Sequence, residues 1–536
     1  MNFLSLLILS ALFLFIAYKT YGRFIFKKLG IDKNSITPAN ALEDGVDYVP
    51  TNKFVVLGHH FASIAGAGPI IGPIIAVSFG WIPAVIWILL GGVFFGAVHD
   101  TSSLVASMAH KGKSVGTVIE QYIGIKGKKL FLIFCFSTLL LVVAVFADII
   151  AKTFVKNPEV ASASMFFIFL AVVFGQAMKY FQKNNTAFVL LSIIGVVLMY
   201  FFIYLGAELP LSGSYLLWVV VLLGYSFVAS VAPMPVLLQP RDYLSSYLLY
   251  GLILAAIVGV CFANPEIKMD SAISTHVEGY GSIFPVLFVT VACGAISGFH
   301  SLVASGTTSK QVNKAQDAKL IGFGGMLIES FLAIVAIGAV LVIDRGEYMS
   351  RLPIEGPVNL FADGLGFIIN SLGIPENMAV SFVALTVSTF ALTSLDTCTR
   401  LARFTFQEFF EHTEEKEETN KPLLKNRYFA TLMVIVLSGL LLLSGEFTSI
   451  WPIFGSANQL LAAVALLTIA TWLLHKKKAV WFVVIPMVFM FLVTISSLVL
   501  FTIDNFQNGY FVLAGIAVLL LVLSITLIRL AYKSLR

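Results

Sequence analysis

The chain has 536 residues, 58% of them hydrophobic and only 12% charged, with a mean hydropathy of +0.93. No soluble globular domain of this length carries so little charge, which excludes a cytosolic enzyme and leaves a polytopic membrane protein with the lipid bilayer as its surroundings. The formal net charge of +5 fits basic loops at an anionic leaflet and gives no reason to expect nucleic acid as a partner.

At about 20 apolar residues per crossing, the chain yields roughly fifteen segments, near 3–19, 54–79, 82–108, 130–151, 161–178, 186–206, 214–232, 246–264, 283–304, 319–343, 377–398, 428–445, 451–474, 479–502 and 510–530. Placing the N-terminus outside puts 29 of the 34 Lys and Arg residues in inner loops. Only Lys152, Lys156, Lys268, Arg345 and Arg351 remain outside. That asymmetry predicts an outer N-terminus and an inner C-terminus. The first segment lacks a basic leader, and its charges follow it, so it reads as a retained helix rather than a cleaved signal peptide.

The second segment contains GHHFASIAGAGPIIGP, residues 58–73. Helix breakers this dense are tolerable in hydrocarbon only where the backbone lines a protein-covered site, so we expect a broken helix. Its candidate substrate ligands are His59, His60 and Ser63 before the break and the freed amides of Gly66, Ala67 and Gly68 within it. A helix terminus of this kind faces an anionic group. The competing reading is a close helix crossing made by small residues. In the third segment, His99 and Asp100 read as an interfacial pair, with Asp100 as a gate.

The seventh segment ends in GYSFVASVAPMPVLLQPRDY, residues 224–243, with a break at Pro233 and Pro235. Tyr225 and Ser226 are further substrate candidates, and Arg241 with Asp242 suits either an inner gate or a loop anchor. The ninth reads CGAISGFHSLVASGTTSKQ, residues 293–311. Ser297, Ser301, Ser305, Thr307 and Thr308 offer hard oxygen donors for Na+, whereas His300 suits a proton. Alternatively, these hydroxyls bond their own helix carbonyls.

Glu329 in the tenth segment and Asp396 in the eleventh are costly intramembrane carboxylates. Asp396 is the preferred coupling residue, although Arg400 one turn later offers it a partner. Residues 361–372 are apolar but too short to span and should pack over the outer mouth. Asn458 and Gln459, opening the thirteenth segment, read as packing residues outside the core. Cys135, Cys261, Cys293 and Cys398 lack CxxC spacing and indicate neither a zinc site nor a disulfide frame.

The second and seventh segments run in opposite directions, so units beginning at their breaks form an inverted repeat of five plus five helices. The alternative pairs the second with the ninth, as seven plus seven. The preferred division is an N-terminal helix and basic loop (1–53), a first repeat (54–212), a second repeat with an interfacial helix (213–412), a charged linker (413–427) and peripheral C-terminal helices (428–536).

GHHFASIAGAGPIIGP, LLQPRDYL (237–244), ACGAISGFHSLVASGTTSK and WPIFGSANQLLAA (451–463) together resemble the signature motifs of the carbon starvation protein A (CstA) family. The resemblance implies an all-α, LeuT/APC-like transporter of the bacterial cytoplasmic membrane that takes up pyruvate or short peptides when carbon is scarce. The chain is shorter than the large enterobacterial-type members and resembles the compact branch. We therefore expect a symporter for a small carboxylate or peptide, coupled to H+ or Na+, with no other cofactor, no metal and no enzymatic activity. Two other readings are a nutrient sensor and a metal-dependent membrane enzyme using His59, His60, His99, His300 and Asp100. The second lacks an HxxxH or HExxH pair.

Overall fold

In hydrocarbon every backbone amide must be satisfied within the protein, and long apolar runs meet that requirement as helices. The computed structural model describes residues 2–32, 35–45, 48–181, 185–233, 237–411, 422–444 and 447–535. Most of the charged linker (413–427) and Pro235 of the seventh-segment break lie outside these described residues.

Among the described residues, thirteen helices are long and apolar enough to cross a membrane. The bent pair Lys53–Ile64 and Gly68–Phe79, angled at 50°, makes a fourteenth. Two shorter apolar helices, Tyr215–Val231 and Arg427–Leu442, occupy the seventh and twelfth expected segments. Helix Arg345–Asn370 is additional to the predicted segments. Gly356 interrupts it at φ +76, leaving an apolar second half shorter than a crossing.

The chain forms two compact units. One comprises Met1–Leu6, Val142–Asp270 and Val335–Leu443. Its core packs the long helix Glu376–Glu411 against Tyr215–Val231, Leu238–Ala263 and Arg427–Leu442. Helix starts here carry side-chain caps: Ser214 Oγ accepts from Leu217 N at 3.2 Å and Asn426 Oδ1 from Tyr428 N at 2.8 Å.

The other comprises Leu7–Leu141, Ser271–Ile334 and Ser444–Arg536. Two broken helices lie side by side in it. The first is Lys53–Ile64 followed by Gly68–Ala76. The second is Ile283–Val291 followed by Phe299–Gly306, with residues 292–298 between them. They approach so closely that a Cβ on Gly72 would lie 2.3 Å from the Thr290 carbonyl oxygen. The two broken helices brought together are thus those of the second and ninth segments. The seventh segment is an unbroken helix up to Val231 and belongs to the other unit.

Helix Phe447–His475 also departs from expectation. Residues 451–473 of it are all buried, so this part of the C-terminal region is core rather than periphery. A Cβ on Gly455 would lie 2.2 Å from the Val289 carbonyl, and one on Gly298 would lie 2.4 Å from that of Asn458. Small residues permit this contact, as they do wherever helix backbones meet in lipid.

Candidate functional site

The first break frees fewer amides than its composition suggests. Ala65 N donates to Phe61 O at 2.8 Å and Gly66 N to Ile64 O at 2.9 Å, so neither is released. Ala67 and Gly68 donate no backbone hydrogen bond among the described residues. Both are buried at the start of helix Gly68–Ala76, where the helix dipole favours negative charge. Ser63 Oγ bonds its own helix at His59 O, 2.8 Å away.

The second break is held from outside by the GSANQ stretch. Asn458 accepts Gly298 N–H on its backbone oxygen and Phe299 N–H on Oδ1, both at 3.0 Å. Its Nδ2 donates to Ser297 Oγ at 3.0 Å. Gln459 Nε2 donates to Phe288 O at 2.7 Å, and Ser330 Oγ to Gly294 O at 3.2 Å. Side chains therefore replace the helical bonds that the break removes. The spacing placed Asn458 and Gln459 correctly in a helix, but it carried no signal that they serve residues about 160 positions earlier in the chain.

Beside the two breaks lies a chain of four titratable side chains, each fully buried. Asp100 accepts from two imidazoles, His99 Nδ1 on Oδ1 and His300 Nδ1 on Oδ2, each at 2.8 Å. His300 Nε2 then lies 3.4 Å from Glu329 Oε2. His60, with Nδ1 hydrogen-bonded to Thr308 Oγ1 at 2.9 Å, lies within electrostatic reach of Asp100 and His300. His60 Nε2, His99 Nε2 and both Glu329 oxygens are buried without a hydrogen-bond partner.

Each member of this chain comes from a different structural element except the adjacent His99 and Asp100. His60 precedes the first break, His300 follows the second, His99 and Asp100 lie on helix Ala97–Ala109, and Glu329 lies on helix Gly325–Val340. Asp100 is not an interfacial residue as expected; with 0% exposure it is the hub of the chain. Glu329, ranked below Asp396 in the sequence, is the carboxylate that reaches His300. Periodicity could not rank them, because the ranking depends on which helices are neighbours.

The donor inventory defines what this arrangement can do. Nδ1–H of both imidazoles is committed to Asp100, so the His300 Nε2 to Glu329 contact has room for one proton. With Asp100 and Glu329 ionised and both imidazoles neutral, the chain carries two net negative charges. One proton in the His300–Glu329 contact lowers this to one. Desolvation makes such a change of charge consequential for conformation.

Several hydroxyls expected as sodium ligands donate to carbonyls of their own helix. Ser301 Oγ donates to Gly298 O, Ser305 Oγ to Ser301 O and Thr307 Oγ1 to Val303 O, at 2.7, 2.7 and 3.1 Å. This is the local back-bonding alternative noted for these residues. Ser297 Oγ is engaged by Asn458.

The remaining candidates belong to the unit containing Tyr225, Arg241 and Asp396. Asp396 Oδ2 accepts from Tyr225 OH at 2.9 Å and is ion-paired with Arg241. Arg241 reaches Asp242 only secondarily, at 3.3 Å, and Asp396 is its principal partner. Arg400 does not pair with Asp396 but donates to the Ala229 and Ala232 carbonyls, at 2.9 and 2.5 Å. It caps the C-terminal end of helix Tyr215–Val231 with help from Arg403, which donates to Ser230 O at 2.8 Å. Ser226 Oγ bonds Leu222 O at 2.8 Å within its helix.

Comparison with known proteins matches the family model described as "Carbon starvation protein CstA" over residues 2–355 and 350–497. The Bacillus subtilis protein named "Peptide transporter CstA" is 34% identical over 99% of this chain and 97% of its own length. The Escherichia coli protein of the same name is 34% identical, with 92% of this chain and 80% of the relative covered. A second Escherichia coli relative, "Pyruvate/proton symporter BtsT", is 32% identical over 93% and 82%, respectively. A family match across nearly all the membrane-spanning sequence, and relatives aligned almost end to end, agree with the four motifs: the chain belongs to the carbon starvation protein CstA family.

Proposed function

We propose that this protein is a proton-coupled importer of a small carboxylate, pyruvate or a short peptide. The supporting observation is the fully buried His99–Asp100–His300–Glu329 chain at the two helix breaks. Relatives named as a peptide transporter and as a pyruvate/proton symporter support the same class of cargo and coupling ion. The substrate carboxylate meets the buried amides of Ala67 and Gly68, and the coupling proton occupies the His300–Glu329 contact. Loading that proton halves the negative charge of the chain and favours closure of the broken helices, so proton and substrate promote each other's binding.

In the arrangement supported by the basic-loop asymmetry, the N-terminus faces outward and the C-terminus the cytoplasm of a bacterial inner membrane. The experiment is uptake of labelled pyruvate and a labelled dipeptide into proteoliposomes under a proton gradient, a sodium gradient or neither. Accumulation driven by the proton gradient alone supports the reading. Accumulation driven by sodium alone, or saturable binding with no accumulation, refutes it; the second result favours a sensor.

A further inference from the structure

We infer that Arg241, Tyr225 and Asp396 form a second carboxylate-binding site, in which a ligand carboxylate takes the place of Asp396 on Arg241 when Asp396 gains a proton. The inference rests on the proposed small-carboxylate cargo. It concerns a site outside the broken helices.

The geometry is that of a pair able to exchange partners. The Arg241 and Asp396 side chains are both 0% exposed, yet neither is fully satisfied. Arg241 touches Asp396 through Nη1, its Nε has no partner, and Oδ1 of Asp396 also has none. A guanidinium in its strongest arrangement meets a carboxylate through two parallel N–H bonds. Here an edge of the fork and one carboxylate oxygen are left over. Tyr225 OH accepts from Arg241 Nη1 at 2.6 Å while donating to Asp396 Oδ2 at 2.9 Å, so it contacts both partners in the exchange.

The local charge favours an anion once Asp396 is protonated. Asp396 is surrounded by Arg241 and Asp242 from helix Leu238–Ala263, Tyr225 from helix Tyr215–Val231, and Arg400 on its own helix, with Arg403 one turn beyond. Tyr225 also packs against the apolar cluster Ala171, Ala229 and Leu237, which carries no charge. Arg241 and Arg400 therefore balance Asp396 and Asp242, while Arg403 is engaged at the Ser230 carbonyl. Protonating Asp396 removes one negative charge, and an arriving carboxylate restores it. The exchange leaves the site's charge unchanged: a proton from the open side goes to Asp396, and the guanidinium transfers from one carboxylate to another. Asp242, whose side chain keeps 18% exposure, marks the accessible edge. Arg241 stands in the first turn of its helix.

The test is isothermal titration of the full chain in nanodiscs with pyruvate, from pH 5.5 to 8, in buffers of different ionisation enthalpy. Asp396→Asn removes the internal competitor while keeping the shape. Its pyruvate affinity at pH 8 should rise about tenfold, within the usual range of coupling between two ligands, and the proton uptake belonging to this site should vanish. The double substitution Arg241→Gln with Asp396→Asn removes both charges without stranding either, and should lose that binding component. Glu329→Gln should retain it. Wild-type affinity and proton uptake in Asp396→Asn, or retention of the component in the double variant, overturns the inference. If wild-type protein accumulates neither pyruvate nor a dipeptide while Asp396→Asn still binds more tightly, the import reading fails and this site stands.

Discussion

Replacing Asn458 with Ala tests whether the second break depends on a side chain far along the chain. The substitution removes the acceptor of Phe299 N–H, 3.0 Å away, and the donor to Ser297 Oγ, also at 3.0 Å. The backbone bond from Gly298 to Asn458 O survives, since it does not use the side chain. Asn458 is 1% exposed, so the stranded amide finds no bulk water. An unsatisfied buried donor costs about 1–3 kcal/mol. Local opening around residue 299 should then become roughly 5- to 150-fold more frequent. Hydrogen exchange of peptides covering 292–306, followed by mass spectrometry, reads this directly. Exchange should accelerate there and remain unchanged in helix Phe511–Leu535. Unaltered protection at residues 298–301 would refute the assignment of Asn458 as the support of the break.

Glu329→Gln fixes the His300 partner in an uncharged form; proton-driven accumulation should fall at least tenfold, while exchange of internal for external substrate persists, as measured by counterflow. Gly72→Ala places a methyl 2.3 Å from the Thr290 oxygen, forcing the broken helices apart at a cost of about 1–3 kcal/mol; a lowered melting temperature in detergent together with lost uptake is expected. Arg400→Ala removes the donor to the Ala229 and Ala232 carbonyls, so exchange should accelerate over residues 226–232. His60→Ala should abolish coupled uptake while folded protein still reaches the membrane, as judged by size-exclusion profile and uptake side by side.

Local features of this architecture were legible in the sequence wherever one segment's own composition decides the outcome. The run of Gly and Pro at 66–73 announced a break, and it falls at residues 65–67, while Pro69, Gly72 and Pro73 are carried within helix Gly68–Ala76. Asp100, His300 and Glu329 were recognisable one by one as costly residues in hydrocarbon. Their union was not, because it depends on helix adjacency. The Pro-rich stretch near Pro233 was the more conspicuous candidate for a second break. The ninth segment breaks without any proline between Ala292 and Gly298, through small residues alone. Composition signals such a break weakly. Ser301, Ser305 and Thr307 show a further ambiguity of composition: hydroxyls suited to an ion are equally suited to the carbonyl one turn back.

The hold of Asn458 on the second break also constrains how the protein is made. Residues 298 and 299 leave the ribosome about 160 residues before their acceptor does, an interval of roughly 8 to 30 s at bacterial elongation rates. During that time two amide groups at membrane depth have no native acceptor. The nascent segment must wait in the insertion machinery, in a chaperone's cover or at the wet interface. A chain halted anywhere before Asn458 should therefore be recognised as unfinished and degraded, however many of its helices have already been inserted.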